Sequence, residues 1–125
     1  MPPETEELKR AIGHLVDLVN APSVTGDEGP AVDEAERIAR DDLKLQVVRM
    51  EAEPGRDNLL IGDANPRVIL CTHLDTVPPH IDASLSDTHV HGRGACDAKG
   101  IAIAMLYATA RMNSRGDGAG LACLL

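Results

Sequence analysis

The chain has 125 residues, a length that ordinarily makes one domain, and we assign residues 1–125 to a single structural unit. Its formal net charge of −8 at pH 7 argues against nucleic-acid binding, which requires a basic surface. No apolar run approaches the ~20 residues of a membrane helix, and three cysteines without a CxxC spacing favour a reducing, cytoplasmic compartment.

The spacing of apolar residues predicts three helices. Residues 5–20 repeat apolar side chains at helical intervals, and Thr5, with acidic residues after it, is a plausible N-cap. Residues 27–42 read as a second helix, with Pro30 in the first turn, where proline is tolerated. Residues 98–112 are apolar almost all round, so we expect a third, well-buried helix.

Strand candidates are interspersed among these helices, which indicates an α/β protein. The run 68–72 is short and almost wholly apolar, as expected for an interior strand covered on both faces. The run 121–125 is also apolar, and we expect it to leave an unpaired edge through which copies of the chain could dimerise or aggregate. The remaining candidates are residues 43–50, residues 58–61 and a short segment at 89–91, with a polar loop expected at 82–87.

His73 and Asp75 follow directly on the apolar run at 68–72. In an extended chain, residues at i and i+2 point the same way, so both side chains should face one spot beyond the carboxyl end of the strand. Imidazole nitrogen is a good zinc ligand, and a nearby carboxylate can orient it. The alternative is a surface histidine and aspartate that cap the end of a strand.

Asp97 lies 24 positions after His73, in a glycine-rich turn that opens the third helix. Glycines in such a turn let the backbone approach an ion closely, and a carboxylate there could bridge two cations. The alternative is an ordinary N-cap aspartate. Lys99 could offset the acidic cluster or simply be solvated. The remaining loop histidines, His80, His89 and His91, read as ordinary polar residues.

Two motifs together closely resemble the signatures of the co-catalytic zinc hydrolases, the family of acetylornithine deacetylase, succinyl-diaminopimelate desuccinylase, aminoacylase and carboxypeptidase G. They are Thr72-His-Leu-Asp-Thr-Val-Pro78 and Gly92-Arg-Gly-Ala-Cys-Asp-Ala-Lys-Gly100. Pro22-Ser-Val-Thr-Gly-Asp-Glu28 resembles the amino-terminal signature of the same family. The resemblance favours the metal-site interpretation over the capping alternatives given above.

This resemblance implies a role for each residue. His73 would bind one zinc ion, Asp97 would bridge two zinc ions, and Asp75 would be the catalytic-site residue behind His73 that orients it. Cobalt or manganese could replace zinc. In family members the peptide after the bridging aspartate is often cis, so the resemblance also implies a cis Asp97–Ala98 bond.

The implied fold is a three-layer α/β/α zinc-peptidase-like sheet, of which these residues resemble the amino-terminal portion of the catalytic domain without the lid or dimerisation domain. The implied activity is zinc-dependent hydrolysis of an amide or peptide bond, in an N-acyl amino acid or a short peptide. No nucleic-acid or membrane partner is expected.

The alternative function is an inactive fragment, or an interaction module with at most weak metal binding. His73 and Asp97 supply two protein ligands to one zinc and one to the other, whereas a catalytic zinc normally has three. We therefore expect weak metal binding and negligible hydrolysis from these 125 residues alone.

Overall fold

The structure, a computed structural model, describes residues 5–125. Two α-helices come first in the chain, five strands follow, and a third α-helix precedes the sixth strand. Helix α1 spans Glu6–Asn20, α2 spans Gly29–Arg37 and α3 spans Gly100–Ser114. A π-helical turn follows α2 at Ile38–Asp42, and a kinked turn with non-helical backbone angles at Asp97 and Ala98 precedes α3 at Ala95–Lys99. The strands are β1 Val47–Glu53, β2 Arg56–Gly62, β3 Val68–Cys71, β4 Ser84–Leu85, β5 Val90–His91 and β6 Leu121–Leu124.

Helix α1 begins at the predicted cap. The Leu8 backbone N–H donates to Thr5 Oγ1 at 3.1 Å, which satisfies one of the amide groups that a first helical turn leaves unpaired. Glu6 and Glu7 follow in the first turn, where negative charge interacts favourably with the helix dipole.

Replacing Thr5 by alanine is expected to lower the free energy of unfolding by about 1 kcal/mol, because the Leu8 amide loses its acceptor. Urea denaturation would measure the change. Thr5→Asp keeps an acceptor oxygen and should lie within a few tenths of a kcal/mol of the parent. Equal losses in both variants would show that the cap contributes nothing.

The main sheet has the strand order β1-β2-β6-β3. Strands β1 and β2 pair antiparallel, as do β2 and β6, whereas β3 runs parallel to β6. Strand β6 therefore has a neighbour on each side, so the expectation that the run 121–125 leaves an unpaired edge is wrong, and with it the proposed route to dimerisation. A long connection through α3 places the last strand between two earlier ones, and the local apolar pattern carries no sign of this crossover.

Strand β3 lies at an edge of the sheet that residues 5–125 form, which also contradicts the prediction of an interior strand. Val68 is 57% exposed and Ile69 is 48% exposed. An apolar run does not by itself distinguish an interior strand from a strand at the edge of the sheet.

All three helices pack on one face of the main sheet. Leu59 and Ile61 of β2 and Cys123 of β6 are fully buried in a single core with side chains from α1, α2 and α3. Val48 and Met50, which alternate with the inward residues of β1, are partly exposed on the other face. The α/β fold class is confirmed, and the described residues contribute the sheet and one helical layer.

Several element boundaries differ from prediction. Strand β1 starts at Val47 rather than at residue 43, because the π-helical turn and Lys44, with φ +57°, occupy the preceding positions. Helix α3 is not buried all round, since Ile101 is 47% exposed. The expected polar loop at 82–87 contains β4, which pairs with β5. Within residues 5–125, no helix combines the length and the apolar character that a membrane crossing demands.

Candidate metal centre

The structure brings His73 and Asp97 into direct contact. His73 lies just beyond the carboxyl end of β3, and Asp97 lies in the kinked turn before α3. His73 Nε2 is 3.0 Å from Asp97 Oδ1, although 24 positions separate the two residues in the chain. The Asp97 side chain is 86% exposed and the His73 side chain 51% exposed. The centre is therefore an open surface site.

Asp75 contacts the opposite nitrogen of the same imidazole. His73 Nδ1 lies 3.1 Å from the Asp75 backbone oxygen and 3.1 Å from Asp75 Oδ1. Both neighbours of Nδ1 are acceptors, so a proton on Nδ1 would be donated to them. In that tautomer the lone pair of Nε2 faces the Asp97 carboxylate.

This arrangement fits a metal ion. Two acceptor atoms that face one another at 3.0 Å repel unless a cation or a proton lies between them. In a tetrahedral zinc site, nitrogen and oxygen ligands of one ion lie ~3.3 Å apart, close to the separation found here. An imidazole with its second nitrogen held by a carboxylate or a carbonyl is also the usual arrangement of a zinc-binding histidine.

The donor set within the described chain is small. Among residues 5–125, no group of three or more histidine, cysteine, aspartate or glutamate side chains comes together around one point. His73 and Asp97 therefore provide two donors, and a catalytic zinc would need at least one more protein ligand. Weak metal binding by these residues alone stays a prediction.

The backbone at Asp97 excludes the capping alternative. Lys99, not Asp97, occupies the N-cap position of α3, and Asp97 has non-helical angles of φ −124° and ψ 95°. The Asp97–Ala98 peptide bond is cis, as the family resemblance implied. Gly94, with φ +85°, precedes this turn, and a Cβ there would lie 2.6 Å from Thr76 Cγ2. Glycine is required at that position for both reasons.

Lys99 is fully buried, so the interpretation of a solvated lysine is wrong. Its Nζ donates to the Ala21 backbone oxygen at 2.8 Å. Burial lowers the pKa of the ammonium group to about 8. The bond ties the turn that carries Asp97 to the loop after α1.

The same loop also contacts Asp75. Thr25 Oγ1 donates to Asp75 Oδ2 at 2.8 Å. The Thr25 N–H donates to the Thr76 backbone oxygen at 3.2 Å, and the Thr76 N–H donates to the Ser23 backbone oxygen at 2.8 Å. Sequence reasoning included Thr25 in a family signature but assigned it no role. The sequence shows that Thr25 has a hydroxyl group able to donate a hydrogen bond, but it does not show the acceptor, Asp75, which lies 50 positions away.

The other histidines of the loop region lie outside this centre. His80 Nε2 contacts Asp82 Oδ1 at 2.9 Å, and His89 stacks on His91 with ring centroids 5.7 Å apart. Neither pair is joined by a third candidate ligand in the described part of the chain. The prediction that these are ordinary polar residues agrees with this placement.

A groove of about 330 Å³ opens beside the centre. His73, Asp75 and Asp97 form one wall of it, and Val77 and Arg93 form part of the rest. Val77 is 63% exposed, and Arg93 Nε donates to the Pro79 backbone oxygen at 3.0 Å. The groove offers an apolar and a cationic contact next to the candidate metal ligands.

A known family matches the segment of the chain that contains this candidate site. Residues 69–122 match the family described as "Peptidase family M20/M25/M40". This segment includes His73, Asp75 and Asp97.

Curated relatives from two archaea are similar over most of the chain. A [LysW]-lysine/[LysW]-ornithine hydrolase from Saccharolobus solfataricus is 32% identical over 103 residues, which are 82% of this chain and 28% of the relative. A protein of the same name from Sulfurisphaera tokodaii is 31% identical over 115 residues, 90% of this chain and 31% of that protein. The chain thus spans about 30% of the length of these relatives.

Solved structures show the same fold. A tripeptidase from Staphylococcus aureus superposes with a TM-score of 0.69 at 22% identity, covering 93% of this chain and 35% of the tripeptidase. An M20 family metallo-carboxypeptidase from Sulfolobus solfataricus gives a TM-score of 0.67 at 16% identity, over 92% of this chain and 29% of that protein.

Proposed function

Because the chain belongs to the peptidase M20/M25/M40 family, we propose that it carries part of the active site of a zinc-dependent hydrolase of amide or peptide bonds. One observation carries this proposal: His73 Nε2 faces Asp97 Oδ1 at 3.0 Å, while Asp75 holds the opposite nitrogen of the imidazole. An imidazole nitrogen and a carboxylate oxygen that face one another at this distance can provide two of the ligands of a cation.

Each residue has a distinct role in the proposed site. His73 would hold one zinc ion through Nε2, and Asp97 would bridge that ion and a second one through its two oxygens. Asp75 would act on the far side of the imidazole, keeping the proton on Nδ1 so that Nε2 remains a ligand. When bound, a zinc pair supplies a Lewis acid for the scissile carbonyl and a bound water of lowered pKa. Cobalt or manganese are the other candidates.

The substrate class proposed is an N-acyl amino acid or a short peptide, as in an acetylornithine deacetylase-like deacylase or an exopeptidase. The relatives include a [LysW]-lysine/[LysW]-ornithine hydrolase and a tripeptidase, and both support hydrolysis in general. The groove beside the centre adds Arg93, whose guanidinium could pair with a substrate carboxylate. The cysteines are all free, which is compatible with the proposed cytoplasmic location.

A second candidate function is a metal-poor interaction module without turnover. Two observations favour it: residues 5–125 bring only two donors together, and the edge strand β3 exposes Val68 and Ile69. The two functions differ in one measurable respect, because only the hydrolase requires Asp97 for catalysis.

The hydrolase proposal can be tested in a chimera in which this chain replaces the matching segment of the Saccharolobus solfataricus relative, which supplies the remaining length. The chimera should hydrolyse the substrate of that relative in a zinc-dependent manner, and Asp97→Asn should abolish turnover. His89→Ala, outside the centre, is the control and should leave turnover unchanged. A chimera that folds by circular dichroism but whose rate is indifferent to Asp97→Asn would refute the proposal in favour of the second candidate.

A further inference from the structure

The Asp75 carboxylate is held from two sides. Its Oδ1 lies 3.1 Å from His73 Nδ1, and its Oδ2 accepts the Thr25 hydroxyl at 2.8 Å. We infer that Thr25 is a positioning residue of the metal centre, whose hydroxyl orients Asp75 and, through it, the His73 imidazole. The inference rests on the proposed function and extends it to a residue that touches neither the metal nor the substrate.

Thr25 is itself well placed to act as a fixed donor. Val24 forms a parallel bridge with Thr76, and two backbone bonds link the segment 23–25 to Thr76. Ser23 is fully buried, and its hydroxyl lies 3.4 Å from Thr76 Oγ1. The backbone of Thr25 therefore cannot drift relative to the segment that carries Asp75.

The side chain of Thr25 adds stiffness of its own. A β-branched residue has restricted χ1, so its hydroxyl is presented in a defined direction. The Asp75 side chain is 39% exposed and would otherwise exchange between rotamers in contact with water. A donor on Oδ2 selects the rotamer in which Oδ1 reaches the imidazole, and this adds a carboxylate oxygen to the Asp75 backbone oxygen as an acceptor for a proton on Nδ1.

The loop that carries Thr25 also reaches the second ligand. Lys99 Nζ binds the Ala21 backbone oxygen from within the turn that presents Asp97. The segment 21–25 therefore contacts a neighbour of each candidate ligand. At one end it contacts Asp75, which holds His73, and at the other end it contacts Lys99, which follows Asp97 in the same turn. A fixed loop between the two supports holds the facing atoms at their short separation.

The test compares Thr25→Val, which keeps the branched shape and removes the hydroxyl, with Thr25→Ser, which restores the hydroxyl. Nitrogen-15 NMR at about pH 8, above the ordinary histidine pKa, would report which imidazole nitrogen of His73 carries the proton in the metal-free chain. Calorimetric titration with Zn²⁺ would report affinity. Thr88→Val is the matched control, because it removes a threonine hydroxyl from His89 Nδ1, 2.7 Å away and outside the centre.

We expect Thr25→Val to reduce the population protonated at His73 Nδ1 and to weaken zinc binding about tenfold, in the range of outer contacts to metal ligands. Thr25→Ser should restore both properties, and Thr88→Val should change neither. An unchanged His73 tautomer in Thr25→Val would overturn the inference. The tautomer decides the role of Thr25, whereas turnover by the chimera and its loss in Asp97→Asn decide the proposed function, so the two can fail separately. Thr25→Ala, with the same readouts, replaces Thr25→Val if that variant does not fold.

Discussion

Zinc binding by the 125-residue chain is expected to disappear when either His73 or Asp97 is replaced by alanine. Each residue supplies one of the two facing acceptors, 3.0 Å apart, and no third donor in the described residues can compensate for the loss. Removing a hydrogen-bond partner of a metal ligand typically lowers the affinity for the metal by about 10- to 100-fold, so removing the ligand itself should lower the zinc affinity by at least about 100-fold. Isothermal titration calorimetry with Zn²⁺ measures the effect.

The control for this experiment is a second histidine–aspartate pair in the same chain. His80 Nε2 lies 2.9 Å from Asp82 Oδ1, with geometry close to that of the His73–Asp97 contact. His80→Ala should leave the zinc affinity unchanged. If it weakened binding as much as His73→Ala, the measured zinc would be bound non-specifically, and the metal centre would be disproved.

Glu28→Gln is expected to lower the free energy of unfolding near neutral pH by about 2–3 kcal/mol. The Arg56 guanidinium donates to both oxygens of Glu28, at 2.8 and 3.1 Å, and the Gly26 N–H donates at 2.9 Å. These bonds outweigh the opposing effect of burial and lower the pKa of Glu28 to about 2. Glu28 is only 8% exposed, whereas the Arg56 side chain is 39% exposed, so water screens the pair in part and the expected loss is smaller than the full pKa shift would give.

The pH dependence follows from the direction of that shift. The folded state keeps Glu28 ionised down to a pKa of about 2, whereas the unfolded chain protonates near the ordinary value of 4.5. The stabilisation is therefore fully present above about pH 5 and is lost as the pH falls towards 2. Urea denaturation at a series of pH values should show the parent chain losing its advantage over Glu28→Gln across this window.

Glu53 offers a matched control for Glu28. It binds the same guanidinium, with Arg56 Nη1 at 3.0 Å from Oε2, but its side chain is 65% exposed. Exposed ion pairs typically contribute 0–1 kcal/mol, so Glu53→Gln should have a small effect at any pH. A similar loss in the two variants would mean that burial of Glu28 is irrelevant to the pair.

The candidate ligands could be predicted because their signal is local. The i, i+2 spacing of His73 and Asp75 after an apolar run directs both side chains to one place. The glycines around Asp97 indicate a tight turn, and the family resemblance joined the two motifs. Their contact in the structure agrees with that prediction, whereas their roles toward zinc remain predictions.

The supports of the site could not be predicted in the same way. Lys99 was interpreted as a solvated lysine because no residue near it in the sequence indicates a hydrogen-bond acceptor for its ammonium group. The acceptor is the Ala21 backbone oxygen, 78 positions away. Thr25 acts on a carboxylate 50 positions away. No periodicity or spacing reports contacts of this range, because they depend on how the elements pack together.

By itself, the sequence determined the three helices, most of the strands, the helix start at Thr5, the α/β class and the two motifs that carry the candidate ligands. Only the tertiary structure decided that β6 lies between β2 and β3, that β3 is at the edge, and that the helices share one face of the sheet. The physical reason is the range of the interactions. Helix caps and side-chain alternation act within a few residues, whereas strand order and burial depend on hydrogen bonds and apolar contacts between segments far apart in the chain.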